Sequence, residues 1–509
     1  MKRFALLDIG SNTIRLVLFE YTPGEGLREI KNIKTPARLA QYLNEENIME
    51  EAGILKLLDI LEGFKGIADR YDVTEIHTAA TAAVRASKNN KDIEKRVEEE
   101  LNFPLRILTG EEEAYFGYKA VVHSISYKDA ITIDIGGGST ELTFYENKNL
   151  VYSTSLPFGV VTLKNKFFKD EHNSEKAIKQ TREFVKEELK SVRWIKDRNI
   201  PIVAMGGSAR NVARIHQAMI SYPIAGVHGY SMQLKHLQKV NNLLTETPTE
   251  ELDNIDGLSK DRTDLIIPSI IVFEELYELA NATAFEFSRQ GLREGISMEI
   301  IKEDYPLAFN KFEVLETSLI ELSNVFHVDR ESGKKRASLA EGLYHELFRH
   351  GLIDMKRKHK YLMMNAAKLY KLGDFIDSDA GSQHTFYLLS NFNILGLKHK
   401  DRVRLALLAS YKNNSLLSFY MREIDWFSDE DHEQIRKMGS IIKFADSLNK
   451  SETDTVVDVM ISDKGERFEL VVRYTGDPVA EEYMAMRHMK HIEYITEKPI
   501  DLTFVEYKD

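Results

Sequence analysis

Two short stretches of this 509-residue chain carry residue types that could hold an oxyanion. "DIGSNTIRL" begins at Asp8 and "DIGGGSTEL" at Asp134; in each, an apolar run ends in a lone carboxylate followed by glycine and hydroxyl residues. A turn of small residues exposes backbone N–H groups that no Cβ screens, and such turns bind phosphate oxygens. Gly10, Ser11, Asn12 and Thr13 supply these groups in the first turn; Gly136, Gly137, Gly138, Ser139 and Thr140 supply them in the second. Facing each other, the two turns would clamp a phosphate chain. Either turn alone is equally an ordinary hairpin, and it is the repeated Asp-Ile-Gly start that favours a shared task. Asp8 and Asp134 would repel phosphate unless a cation lay between them, and a magnesium ion resolves that conflict.

A third stretch, "RILTGEEEAYFGYKA", puts Glu111, Glu112 and Glu113 directly after Thr109-Gly110 at a strand-to-helix junction. Carboxylates in a first helical turn favour the helix dipole, which is one use for them. The other is for one of them to face the cleft and take a proton from an attacking water. Arg85, in "AAVRAS", would then compensate charge growing on phosphoryl oxygens; it reads otherwise as an exposed helix arginine.

The elements that must position these residues are legible as patterns. "FALLDI" is a short apolar strand, and "TIRLVLFEY" alternates as a half-buried strand does. "AITIDI", "GGGS" and "TELTFYE" repeat that hairpin. "VTEIHTAATAAVRAS" and "IPIVAMGGSARNVARIH" each read as strand, small-residue turn and helix, so two similar α/β halves face each other, over residues 1–125 and 126–305. Asn47 to Arg70 and Lys176 to Arg193 have helical spacing. From about Pro306 long amphipathic helices follow, to residue 450. Over 451–509, "TVVDVMIS", "ERFELVVRY" and "PIDLTFVEY" read as strands of a small α/β module.

Composition narrows the class. The chain has no cysteine and a net charge of -12, so packing alone holds it and nonspecific nucleic-acid binding is not expected. "MKRFALLDIG" is too short in its apolar run for an export signal, and no uncharged stretch approaches the ~18 residues that span a bilayer. A cytoplasmic protein that does not contact membranes is the expectation.

Taken together, "DIGSNTIRL", "ARLAQYL", "AATAAVRAS", "ILTGEEEAYFGY", "IDIGGGSTEL", "SLPFGVVTL", "AMGGSARNVA" and "GLREG" resemble, in order, the exopolyphosphatase and guanosine pentaphosphate phosphohydrolase family. That family belongs to the sugar kinase, Hsp70 and actin superfamily. The resemblance implies two ribonuclease-H-like halves and hydrolysis of a terminal phosphoanhydride by water with magnesium or another divalent cation. It places the general base on Glu113 and the metal carboxylates on Asp134 and Glu141, with Asp8 reaching the metal through water. Gly206, Gly207 and Ser208 become a third phosphate turn, with Arg85 and Arg38 as cationic contacts. The part after residue 305 looks like the longer bacterial members, whose helical region resembles the HD phosphohydrolase fold. Here Tyr370 and Lys371 stand where its metal-binding histidine and aspartate would be, leaving His384 and Asp446, so that region is expected to be catalytically silent.

Basic clusters remain in the helical part: Lys356, Arg357, Lys358 and Lys360, then Lys398 and Lys400. They are either solvated helix faces or a track that holds polyphosphate. Inorganic polyphosphate is the first expected substrate. Guanosine pentaphosphate, cut to the tetraphosphate, is the alternative; an ATP-binding sensor or kinase is a third reading from the same superfamily. Long helical domains often pair, so a homodimer is expected.

Overall fold

The computed structural model describes residues 1–73, 75–168, 174–354 and 356–507. The chain forms two compact units, one of residues 1–222 and 227–318, the other of 223–226 and 319–509.

The first unit holds two sheets of related topology. Strands β1 (Lys2–Ile9), β2 (Thr13–Thr22), β3 (Gly26–Pro36) and β4 (Glu75–Ala80) lie in the order β3-β2-β1-β4, with β1 antiparallel to β2 and parallel to β4. A single parallel bridge from Ala80 to Ile107 extends the β4 edge. In the second sheet β5 (Ala130–Ile135), β6 (Thr140–Glu146), β7 (Asn149–Leu156), β8 (Ile202–Met205), β9 (Tyr230–Met232) and β10 (Phe285–Phe287) run in the order β7-β6-β5-β8-β10-β9. Again the central strand is antiparallel to its hairpin partner and parallel to the next strand, β8. These are two ribonuclease-H-like halves, the α/β arrangement of the actin, Hsp70 and sugar kinase class.

The uninterrupted apolar run of β1 is explained by burial on both faces. Ala5, Leu7 and Ile9 pack with Leu57 and Leu61 of the helix Glu51–Arg70, while Phe4 and Leu6 pack with Phe116, Ile296 and Ile300. The helix Gly110–Val122 carries Phe116 in that second cluster. One turn further on, Tyr118, Val121 and Val122 join a cluster with Ala130, Val203 and Met205 of the other sheet. It is therefore wedged between the halves, which fixes its N-terminal glutamates relative to both hairpin turns.

The second unit is helical, from Arg330–Arg349 through Asp429–Ser447, and includes a sheet of β11 (Val456–Asp463), β12 (Phe468–Tyr474) and β13 (Ile500–Glu506). The outer edge of β11 is covered: Ile461 N–H donates to Glu346 and its carbonyl accepts from Arg349 and His350. Among the described residues no helix is long and apolar enough to cross a membrane.

Candidate active site

The two glycine turns are built alike. Gly10 N–H donates to the Thr13 carbonyl at 3.0 Å and Gly136 N–H to the Ser139 carbonyl at 2.9 Å. Other turn carbonyls are occupied from behind: Asn12 accepts from Ala37 and Arg38 and Ser11 from Ala40, while Gly136 accepts from Val160 and Gly137 from Val161. With those carbonyls taken up, each turn presents less negative charge to an approaching anion. The turns meet across a cleft so closely that a Cβ on Gly137 would lie 3.2 Å from Ser11 Cβ.

Beside the hairpins, β8 ends at Met205 and the helix Gly206–Met219 begins at once, so Gly206 and Gly207 form a helical first turn. Gly206 has φ +83°, and a Cβ there would lie 2.5 Å from Asp134 Oδ1. Both facts demand glycine, and they hold Asp134 close to a helix N-terminus.

Asp8, Glu113, Asp134 and Glu141 all line this cavity of about 230 Å³. Burial, then the charge of Asp8, pushes Asp134 up to about 6, against the pull of Arg262 and Arg293. Burial also raises Asp8, while Arg293 and Arg15 pull it down. Glu113 and Glu141 are both driven upward, first by burial; Glu113 adds to the rise of Glu141 by repulsion. The glutamates left open by sequence now separate. Glu112 is spent: its side chain accepts from Thr109 N–H at 2.9 Å and from Arg106 at 2.9 Å, and Thr109 Oγ1 accepts from Glu112 N–H in return, a capping box. Against its partial burial, those bonds hold Glu112 below the usual glutamate range. Glu111 is exposed, whereas Glu113 turns inward and pairs with Arg85.

Arg85 itself stands behind the cavity wall, donating to Glu113, to the Leu108 carbonyl at 2.9 Å and to Ser139 Oγ at 3.5 Å. The cations that line the cavity are Arg15, Arg210, Arg262, Arg289 and Arg293, none of which sequence reasoning singled out. Burial and four neighbouring arginines push Arg210 down to about 10, a measure of how much positive charge is gathered here. One signal was available: Arg15 follows Asp8 by the spacing at which Glu141 follows Asp134.

Gly10, Ser11, Asn12, Thr13, Gly136, Gly137, Ser139, Gly206 and Gly207 line the cavity, together with Asp8, Glu113, Asp134 and Glu141. Five of the named residues do not: Arg85 stands behind the wall, and Thr140 is fully buried with its hydroxyl donating to the Phe158 carbonyl at 2.7 Å. Ser208 is 2% exposed and its hydroxyl accepts from Ser269 Oγ at 2.9 Å, a core contact between two helices. Gly138 faces Ala82 Cβ. Arg38 is exposed, and its left-handed backbone (φ 52°) serves the first turn through its N–H.

The lysine clusters belong to the helical unit, where acids answer them: Lys356 pairs with Glu430, Lys358 with Asp401, Lys360 with Glu341 and Lys400 with Asp431. Arg357 is exposed on the first turn of its helix and Lys398 immediately precedes the helix His399–Ala409. These faces are of mixed sign, not a bare cationic track. In the same unit Asp446 gives one oxygen to Arg336 Nε at 2.8 Å and the other to Lys371 Nζ at 2.8 Å. Although burial opposes it, those two cations hold Asp446 below the usual aspartate range. Lys371 thus supplies an ammonium charge beside the carboxylate that the HD resemblance makes a metal ligand.

Does the cleft suit a metal? Asp134 and Glu141 are directly opposite on β5 and β6, like charges in a buried cross-strand pair. That juxtaposition fits a divalent cation. Among the described residues no three histidine, aspartate or glutamate side chains form a metal-holding group by themselves. The donor set fits a magnesium ion that takes one or two carboxylates and completes its shell with water and phosphate oxygens.

Fold and paired turns define an α/β protein of the actin-like class. Within that class, the chain belongs to the Ppx/GppA phosphatase family, whose model matches residues 17–304; the model for domain III of Ppx/GppA phosphatases matches residues 314–489. It is 29% identical over 402 residues to a guanosine-5'-triphosphate,3'-diphosphate pyrophosphatase of Vibrio parahaemolyticus, covering 77% of each chain. A protein of the same description from Vibrio vulnificus is 27% identical over 424 residues, 82% of this chain and 81% of that one. Among solved structures, the Aquifex aeolicus member of the family superposes with a TM-score of 0.54 at 29% identity, covering 60% of this chain and 99% of its own. An exopolyphosphatase from Cytophaga hutchinsonii has a TM-score of 0.55 at 21% identity over 59% of this chain and 98% of its own, a likeness of fold.

Proposed function

We propose that this chain hydrolyses the terminal phosphoanhydride of inorganic polyphosphate. The observation that carries the reading is the cavity itself: glycine turns from both halves and five arginines surround Glu113, the one glutamate of Glu111–Glu113 that lines it. Arginines and backbone N–H groups hold successive phosphates without reading a base. Glu113 accepts a proton from water; the water oxygen bonds to the terminal phosphorus as its bridging P–O bond breaks, releasing phosphate and a chain shorter by one. Arg85 orients Glu113 and draws its carboxylate toward the charged form. Asp134 and Glu141 would hold the divalent cation, with Asp8 reaching it through water. When bound, the cation would supply charge neutralisation at the phosphoryl oxygens.

A second reading, cleavage of guanosine pentaphosphate, is favoured by the likeness to the guanosine-5'-triphosphate,3'-diphosphate pyrophosphatases of Vibrio. Phosphate release with magnesium from long-chain polyphosphate and from guanosine pentaphosphate, compared as kcat/KM, separates the two. A large preference for polyphosphate is expected. Preference for the nucleotide would replace the first reading with the second, and release from neither would overturn both.

A further inference from the structure

A second cavity of about 420 Å³ opens in the first unit and shares no lining residue with the cleft. Tyr115 and Lys119 of the helix that carries Glu113 and His123 just past its end contribute to it, with Lys302 from the helix Leu292–Asp304 and Lys311 and Phe312 from the segment that follows. Its character is aromatic and cationic at once. Lys311 Nζ lies 5.4 Å from the centre of the Phe312 ring and Lys119 Nζ 5.8 Å from that of Tyr115; both rings are open to solvent, Phe312 at 67%.

The positive charge here is poorly answered. Lys119 is only 9% exposed, and the carboxylate that reaches it, Glu299, lies 3.5 Å away and is shared with Arg106. Lys311 spends its ammonium on the Lys148 carbonyl and Asn149 Oδ1, each at 2.8 Å. Among the described residues neither Lys302 nor Lys311 pairs with a carboxylate. Burial and then the charges of Lys302, Lys119 and Lys148 push His123 down to about 4, while its bond to the Lys119 carbonyl favours the charged form. His123 Nδ1 lies 2.7 Å from that carbonyl, which can only accept, so Nδ1 carries the proton and Nε2 is left as an acceptor.

We propose that this cavity is a second ligand site, distinct from the cleft, that takes a nucleoside phosphate: the base stacks on the Tyr115 and Phe312 rings and the phosphates meet Lys119, Lys302 and Lys311. A volume of this size suits a small molecule, and an exposed ring beside an ammonium offers both a stacking surface and an anion contact. His123 Nε2 supplies an acceptor for a base N–H.

The test is calorimetric titration of ADP and of GDP into the full chain, a Lys302→Glu/Lys311→Glu double variant and Phe312→Ala. Binding in the cleft is common to all three and drops out of the comparison. At least a tenfold loss of affinity at one site is expected in the double variant, and about tenfold in Phe312→Ala, where no charge changes. Phosphate release by both variants should stay within about twofold of wild type, showing that they fold. Equal nucleotide binding by all three chains would overturn the proposal. So would loss in the double variant with none in Phe312→Ala, because the cavity would then hold a plain anion.

Discussion

In the first hairpin Asp8 lies opposite Arg15; in the second, Asp134 lies opposite Glu141. The turns between them are closed by the same hydrogen bond, yet one pair is of opposite charge and the other of like charge. Residues directly opposite on antiparallel strands have Cβ atoms about 4.5–5.5 Å apart, so the second pairing is unfavourable by itself. The first hairpin can meet a phosphate chain as it stands. The second carries a like-charge pair that a bound cation would relieve. The two hairpins share a backbone pattern and differ by one charge reversal, and we propose that this difference divides phosphate contact from cation binding.

Glu113 sits beside both hairpins, so its removal should have the largest effect. Glu113→Gln is expected to lower turnover by ~10² to 10⁴ while polyphosphate still binds; a rate within a few-fold of wild type would exclude it as the base. Because burial raises Glu113 and only the ionised form accepts a proton, activity should fall on acidification at a pH above the ordinary glutamate range. Arg85 pulls the other way, so Arg85→Met should move that acid limb to still higher pH. An unmoved limb would show that Arg85 does not position the base.

The division of labour itself is broken by Glu141→Gln. The magnesium needed for half-maximal phosphate release should rise at least tenfold, the cost of losing one hard oxygen ligand. The same substitution should stabilise the cation-free chain. Glu141 is raised on folding, so the stability its environment contributes is present at low pH and lost as pH rises through the raised value. The melting advantage of the variant therefore grows with pH. No advantage at any pH would mean that the carboxylates do not repel in the absence of metal. Arg15→Ala tests the other hairpin: KM for polyphosphate should rise about tenfold with kcat nearly kept, the scale of one charged hydrogen bond.

The hairpins were legible in the sequence because alternation in "TIRLVLFEY" and "TELTFYE" is set by a two-residue repeat, and their turns by glycine. The role of Glu112 is legible too: Thr109-x-x-Glu112 is a capping box, which commits Glu112 to the helix start. The arginine lining was not. Arg15 comes from a strand, Arg210 from the helix that begins at Gly206, Arg262 from the short turn Lys260–Arg262, and Arg289 and Arg293 from the last segment of the half, and no spacing joins them before folding. Ser208 fails for a related reason, since its hydroxyl partner Ser269 lies on another helix whose packing leaves no local trace.

The smallest effect is expected in the helical unit, where charge is matched as it is in the first hairpin. Lys356, Lys358 and Lys360 each face a carboxylate at 2.6 to 2.9 Å. Exposed pairs of this kind are worth about 0–1 kcal/mol each, and their positive charge is already answered before any polyanion arrives. Replacing all three by alanine should lower affinity for long-chain polyphosphate by less than about threefold and leave short-chain hydrolysis unchanged. A tenfold loss confined to long chains would mean that the polyanion displaces Glu430, Asp401 and Glu341 and holds the lysines itself. Equal loss on long and short chains would instead point to damage to the fold.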